Sequence, residues 1–295
     1  MPTTLPPLWK ASVTLTKAEA PDICAAFELA PPSPSAVLVS EEPFEDKATV
    51  EALYPQMPDG DLLSRLAGKP VHVALLPDVD WIRLSQQGLP PVRAGRFFVY
   101  GAHDAGKVPS GVIPLCIEAG LAFGTGHHET TALCLQALDS LARRRQYNNI
   151  LDLGCGTALL AIGASKLWRT HVLASDIDPE AITVARENAV INKAGPMVSA
   201  LVADGLTHPR LKDAAPFDLI VANILAGPLC LMSADIAHAL QPGGTLVLSG
   251  LLEWQEKRVL SYYRAHGLKL VSTCREHHWT ALTLEKPESL SPRYR

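Results

Sequence analysis

The stretch Asn149-Ile150-Leu151-Asp152-Leu153-Gly154-Cys155-Gly156-Thr157 decides how the rest of the chain is read. An apolar run ends in an acid, then in two glycines set two apart, and Ala158 to Trp168 continues with helical character. The pattern predicts a buried parallel strand, a tight turn and a helix start. Glycines in such a turn let backbone N–H groups close on a ligand with no side chain between. Dinucleotide-binding folds open the same way, but the third glycine of G-x-G-x-x-G is absent and Leu159 holds its position. An ordinary strand-to-helix turn is the bland alternative. Asp176 ends the next strand-like run, His171 to Ser175, about 20 residues further on, where an acid can accept both ribose hydroxyls of an adenosine. Asp152 suits a positively charged ligand better than a pyrophosphate. With no Lys or Arg in the turn, the two acids favour S-adenosylmethionine over NAD.

Downstream the chain alternates. Strands are predicted at 149–153, 171–175, 198–203, 217–222 and 245–249, and helices at 158–168, 179–193, 228–240 and 253–265. Alternation of this kind means a parallel sheet with helices on both faces. Leu268 to His277 and Trp279 to Glu285 read as an antiparallel hairpin at one edge, bringing the sheet to seven strands, and Pro287 to Arg295 as a disordered tail. Asn223 falls at the carboxyl end of the fourth strand, where open α/β sheets bind ligands. Its carbonyl can accept a hydrogen bond from a substrate amine and aim the lone pair. Alternatively, it caps the helix that follows.

Upstream, Gly120-Leu121-Ala122-Phe123-Gly124-Thr125-Gly126-His127-His128-Glu129-Thr130-Thr131 opens a helix running to about Arg143. Glycines, hydroxyls and an aromatic before a helix make a loop able to close on a ligand, and the first N–H groups of the helix suit a carboxylate. The pairs His127-His128 and His277-His278 do not read as metal sites, because adjacent side chains diverge and no H-x-x-x-H or Cys partner accompanies them.

Residues 1–77 form a separate pattern. Trp9 to Leu15 reads as a strand, Lys17 to Leu29 as a helix stopped by Pro31-Pro32-Ser33-Pro34, and Ala36 to Ser40 and Phe44 to Leu53 as strands. Asp59 caps a short helix, Asp61 to Ala67, and Val71 to Leu76 is a last strand. This is the split βαβ, ferredoxin-like order, an α+β domain with no catalytic constellation, either a docking module or an inert appendage. Residues 78–91 read as a linker in which Trp81 to Ser85 has helical character, and 92–295 as the second domain, led in by Phe97 to Tyr100 and Val112 to Glu118.

Composition narrows the classes. With 295 residues, 47% of them hydrophobic, the chain can bury a large core, and a net charge of −4 leaves no basic field for grasping nucleic acid. No stretch resembles a targeting peptide or membrane span, and the six cysteines are scattered without a C-x-x-C pair. A cytoplasmic protein with reduced thiols is the expectation.

Ala122-Phe123-Gly124-Thr125-Gly126-His127-His128-Glu129-Thr130-Thr131, Leu151 to Gly156, Asp176-Ile177-Asp178-Pro179 and Ala222-Asn223-Ile224-Leu225-Ala226-Gly227-Pro228-Leu229 together resemble the class I S-adenosylmethionine-dependent methyltransferases. More narrowly they are similar to the ribosomal protein L11 methyltransferase family. The resemblance implies a Rossmann-like seven-stranded catalytic domain behind a ferredoxin-like domain that recognises the ribosomal protein. It implies cofactor contacts at Thr131, Gly154, Asp176 and Asn223, to which Gly156, Phe123 and Gly124 are added as turn and loop residues, with Asn223 also the catalytic candidate and no metal. It further implies trimethylation of lysine ε-amines and of the N-terminal α-amine of that large-subunit protein, free or in the ribosome, by an enzyme expected to be a monomer without membrane or direct nucleic-acid binding. Many members carry Thr-His-Pro where His127-His128-Glu129 stands.

Three other functions compete. A methyltransferase acting on lysines of another protein would share every motif. A nucleic-acid methyltransferase predicts a basic stripe and an aromatic platform after the catalytic Asn, whereas Ile224 and Leu225 follow here. A non-catalytic sensor of S-adenosylmethionine would keep the cofactor motifs and lack turnover.

Overall fold

The computed structural model describes residues 9–41, 46–75, 91–117 and 128–288. The linker expected at 78–91, except its last residue, and the Phe123–Gly124 loop fall outside the described residues, as does the tail beyond 288. Two compact units divide the chain, Met1–Trp81 and Ile82–Arg295.

In the first unit, β1 (Trp9–Leu15), α1 (Ala20–Leu29), β2 (Ala36–Glu41), β3 (Ala48–Tyr54), α2 (Gly60–Ala67) and β4 (His72–Leu75) follow one another. The sheet order is β2-β3-β1-β4, with every pairing antiparallel, which is the ferredoxin-like arrangement. Alternation drives it: Ala11, Val13 and Leu15 of β1 and Val50, Ala52 and Tyr54 of β3 are buried on one face against Phe27 and Leu63 of the two helices. Asp59 caps α2 as read, accepting the N–H groups of Asp61 and Leu62 at 3.0 Å. The first helix begins three residues later than expected. Thr16 donates both its N–H and its hydroxyl to Glu19, 2.8 Å each, and that local turn occupies the residues before the helix.

The second unit starts with a small sheet of β5 (Val92–Ala94), β6 (Phe97–Tyr100) and β7 (Ile113–Cys116) in that order. Then come α3 (His128–Ala142), β8 (Ile150–Leu153), α4 (Leu159–Trp168), β9 (Val172–Asp176), α5 (Pro179–Ile191), β10 (Val198–Val202), α6 (Pro209–Ala214) and β11 (Phe217–Asn223). The chain closes with α7 (Ala226–Leu231), α8 (Ser233–Ala239), β12 (Leu240–Leu252), α9 (Glu256–Ala265), β13 (Lys269–Glu276) and β14 (Trp279–Glu285). The large sheet runs β10-β9-β8-β11-β12-β14-β13, with β14 antiparallel to both its neighbours. Strand order reverses between β8 and β11, so a crevice opens at the carboxyl ends of those two strands.

Both faces of the central strands of this sheet are dry. Ile150, Val172, Ala174, Leu219, Val221 and Val247 pack under α3, α4 and α5. Leu151, Leu153, Leu173, Ile220, Ala222, Leu246 and Leu248 pack under α7, α8 and α9, where Leu229, Ile236, Val259 and Tyr263 are buried. Helices on both sides are why the strands read as unbroken apolar runs. Each fully buried large side chain contributes about 1.5–3 kcal/mol. The helix expected at 228–240 is two helices broken at Met232, where the Ser233 hydroxyl takes the Cys230 carbonyl at 2.8 Å.

The turn between β5 and β6 is fastened to α3 by charge. Asp139 of α3, only 3% exposed, accepts hydrogen bonds from Arg96 of that turn and from Arg143 one helical turn on. Burial pushes its carboxyl up, but the two guanidiniums outweigh burial and leave it below the usual value. A depressed carboxylate adds stability above its unfolded pKa, about 3.9, and loses it as pH falls below that. Asp139→Asn should therefore cost about 1.5–3 kcal/mol at neutral pH. Urea melts of the two proteins should show the gap narrowing as pH falls below the unfolded value of about 3.9.

Candidate active site

The turn after β8 is held by the strand beside it. The N–H groups of Gly154 and Cys155 both donate to the carbonyl of Ser175, at 2.8 and 2.9 Å. The Gly156 N–H donates to Asp176 Oδ2 at 2.8 Å, and the Asp178 N–H to Asp176 Oδ1 at 3.1 Å. The acid expected to meet a ribose thus also fixes the glycine turn. Each oxygen accepts one of these bonds and retains capacity for a second. Ile177, directly after Asp176, is 67% exposed at the same strand edge. Sequence reading passed over it, although an apolar residue following a strand-end acid was a visible signal.

Asp152 lies beneath the turn and is 2% exposed. The residue at the head of α4, Ala158, has no side chain that can cap. Asp152 Oδ2 takes over that work from the strand, accepting the Ala161 N–H at 2.8 Å. Its other oxygen, Oδ1, is buried with no partner among the described residues. Burial pushes this carboxyl up to about 7, the Ala161 N–H opposes the shift, and nearby Asp176 adds to it.

Asn223 ends β11 and turns towards α3, donating from Nδ2 to the hydroxyl of Thr131 at 3.4 Å. It does not cap the next helix: Leu225 stands at that position, with no side-chain cap. Thr131 is buried in the first turn of α3, and its neighbour Thr130 receives the Ser249 hydroxyl on its carbonyl at 3.3 Å. Ile224 then passes between two glycines. A Cβ at Gly154 (φ +71°) would collide with the Ile224 side chain, and one at Gly250 (φ +80°) with its backbone. Gly250 was missed in sequence because nothing local marks it as facing β11.

Five of the seven residues expected in the site therefore meet at one sheet edge: Gly154, Gly156 and Asp176 in one group, Thr131 and Asn223 in another, joined through Ile224. Phe123 and Gly124 lie outside the described residues. His277 sits in the hairpin turn, 4.0 Å from Glu129. No group of three metal-ligating side chains occurs among the described residues, and no helix among them is long and apolar enough to cross a membrane.

Comparison with known proteins bears on the family of the chain. The sequence model of the family described as ribosomal protein L11 methyltransferase (PrmA) matches residues 18–287. A ribosomal protein L11 methyltransferase of Mesorhizobium japonicum is 46% identical over 286 residues, covering 92% of this chain and 97% of its own length. One from a Caulobacter species is 47% identical over 231 residues, 78% of this chain and 80% of its own. Among solved structures, the ribosomal protein L11 methylase of Lactobacillus delbrueckii subsp. bulgaricus aligns with 68% of this chain and 99% of its own, with a TM-score of 0.60 at 25% identity.

The buried Asp152 gives the folded protein a distinctive pH response. An acid raised from about 3.9 to about 7 keeps a proton in the folded state that the unfolded chain has released. Stability therefore falls as pH climbs through that window, and the loss is complete above it. Asp152→Asn keeps an acceptor for the Ala161 N–H and removes the titration. From about pH 5 to about pH 8 the wild type should lose stability relative to this variant by about 1–4 kcal/mol, measured by urea melts without cofactor.

Proposed function

Because the chain belongs to the ribosomal protein L11 methyltransferase family, we propose that it trimethylates lysine ε-amines and the N-terminal α-amine of ribosomal protein L11. It is an S-adenosylmethionine-dependent enzyme acting on a protein. In the reading we favour, Gly154, Gly156 and Asp176 hold the adenosine end, with Asp176 accepting the ribose hydroxyls on its remaining lone pairs and Ile177 covered by the base. We assign Thr131, together with Phe123 and Gly124, to the methionine end. Two features support the fit: the buried Asp152 oxygen that has no partner among the described residues, and the free acceptor capacity of Asp176.

One observation carries the amine reading. The Asn223 amide is turned away from the helix it might have capped and engages Thr131 through its NH2 group, which leaves its carbonyl oxygen available as an acceptor. Bound S-adenosylmethionine supplies an activated methyl group. The protein's share is to position the amine and to exclude competing geometry. A lysine ammonium, with pKa about 10.4, must first lose a proton. Transfer out of bulk water beside a cation lowers that pKa, so water can remove the proton without a dedicated base. Asn223 then accepts an N–H of the neutral amine and points its lone pair.

The first unit is assigned to docking the protein substrate. The open face of its sheet carries Lys10, Ser12, Thr14, Thr49 and Glu51, with a Lys10–Glu51 pair at 2.8 Å, whereas the aromatics of β1 and β3, Trp9 and Tyr54, belong to the face packed on the helices and are not offered to stack a base. That composition favours a protein partner over RNA. We further assign a monomeric, cytoplasmic enzyme without direct nucleic-acid contact.

Asp176→Ala should weaken S-adenosylmethionine binding more than tenfold, about 1.4 kcal/mol, by calorimetry. Unchanged affinity would remove the ribose assignment.

Mass spectrometry of L11 treated with wild type should show trimethylated lysines and α-amine. Asn223→Ala, assayed at saturating cofactor, should lower kcat roughly ten- to a hundredfold with little change in the urea midpoint. Retained kcat with lost stability would reduce Asn223 to a structural role.

A further inference from the structure

Ile224 stands between the two halves of the site, and its contacts are unusually specific. The atom that meets Gly154 is Cγ2, the methyl borne directly on the β-carbon, and a Cβ at Gly154 would overlap it. This is not the far end of a flexible side chain. A β-branched residue has few χ1 choices, so Cγ2 moves only if the backbone moves. On the other side the peptide of Ile224 itself lies against Gly250, whose φ of +80° suits glycine. The ladder between β12 and β14 shifts register between Leu248 and Leu251, and Gly250 lies in that irregularity. The exit of β11 is therefore gripped from the glycine turn on one side and from the end of β12 on the other. Asn223 is the residue immediately before that grip.

We propose that Ile224 is a positioning residue that locks Asn223 to the glycine turn, through its Cγ2 methyl rather than through its bulk. The inference rests on the assignment of Asn223 to the amine. Through this contact the turn that carries the cofactor and the amide that carries the amine share one rigid link, so the distance between the two reactants is set by a single side chain.

The two obvious substitutions separate shape from volume. Ile224→Leu conserves volume and, on core packing alone, is the gentler change. It moves the branch away from the β-carbon and deletes Cγ2. Ile224→Val removes a methylene and keeps Cγ2. Both are made in the full chain and assayed with S-adenosylmethionine and ribosomal protein L11, recording kcat, KM for L11 and the thermal midpoint, with Asn223→Ala measured beside them. The expected result is a kcat for I224L at least fivefold below that of I224V, with KM for L11 within twofold. The thermal midpoint of I224L should be equal to or above that of I224V. A smaller gap in kcat, or one that vanishes when rates are expressed per folded molecule, overturns the lock. Should I224L fail to fold, Ile224→Met, which also lacks Cγ2 and keeps volume, takes its place against I224V under the same criterion. The control separates the two claims. Undiminished kcat in Asn223→Ala sinks the amine assignment, and the lock with it. A normal loss there with less than a fivefold gap between I224L and I224V sinks the lock alone.

Discussion

The carboxyl edge of the large sheet depends on one carboxylate that has been taken out of water. Asp152 reaches from the central strand to the Ala161 N–H and so joins β8 to the head of α4. The turn between them must return the chain within that reach. It does so with three residues in the left-handed region, Gly154, Gly156 and Ala158. The compact turn leaves the Gly154 and Cys155 amides on the Ser175 carbonyl and the Gly156 amide on Asp176. Burying the acid is unfavourable, as its elevated pKa shows, and the unpartnered Oδ1 adds to the cost. Under the proposed function a cation arriving above the turn offsets part of it. Strain of this kind, concentrated beneath a binding turn, is where a site is expected to depart from maximal stability.

Most of the fold was legible because it rests on period and punctuation. Ile150 to Leu153, Val172 to Ala174 and Leu219 to Ala222 are buried on both faces and, Asp152 apart, apolar, as a parallel sheet covered on both sides requires. The order of elements then leaves few topologies, and the observed reversal between β8 and β11 is among them. The failures are short elements decided by neighbours. The break between α7 and α8 at Met232 carries no proline or glycine to announce it, and the Ser233 hydroxyl bonded to the Cys230 carbonyl is a contact that serine also makes inside unbroken helices. The strand β5 is three residues long, and its turn is held by Asp139, more than forty positions away. Helix α6 is six residues capped by a histidine, a residue that signals a cap only weakly.

The site divides along the same line. Gly154, Gly156, Asp176 and Asn223 each stand at the end of a predicted strand, so periodicity alone brought them to one edge. Contacts between residues far apart in sequence were invisible. The Asn223–Thr131 bond spans α3 to β11, the seat of Ile224 between Gly154 and Gly250 spans three strands, and the capping role of Asp152 requires knowing where α4 begins. Asp152 illustrates the difference well. Its charge suggested a partner for a cation, whereas the bond it makes in the structure is to the head of a helix.

Repeated methylation, as proposed for this enzyme, would give such fixed geometry a purpose. Under the proposed function the same nitrogen returns to Asn223 bearing none, one and then two methyl groups. A neutral primary amine offers two N–H donors and a monomethylated one offers a single donor, so either can be oriented by one carbonyl. A neutral dimethylated amine has none. For the last transfer hydrogen bonding cannot set the direction of attack, and orientation falls to the shape of the surroundings and to where the backbone holds them. The head group also becomes more apolar at each step, by about 0.8 kcal/mol for each carbon removed from water. Apolar residues follow Asn223 here, Ile224 and Leu225, where an aromatic platform would favour a planar base. A stiff, β-branched residue seated against two glycines keeps that wall in place while the substrate changes size. The demand on Asn223 as an acceptor thus declines through the sequence of transfers, and the demand on the exit of β11 as a rigid frame increases.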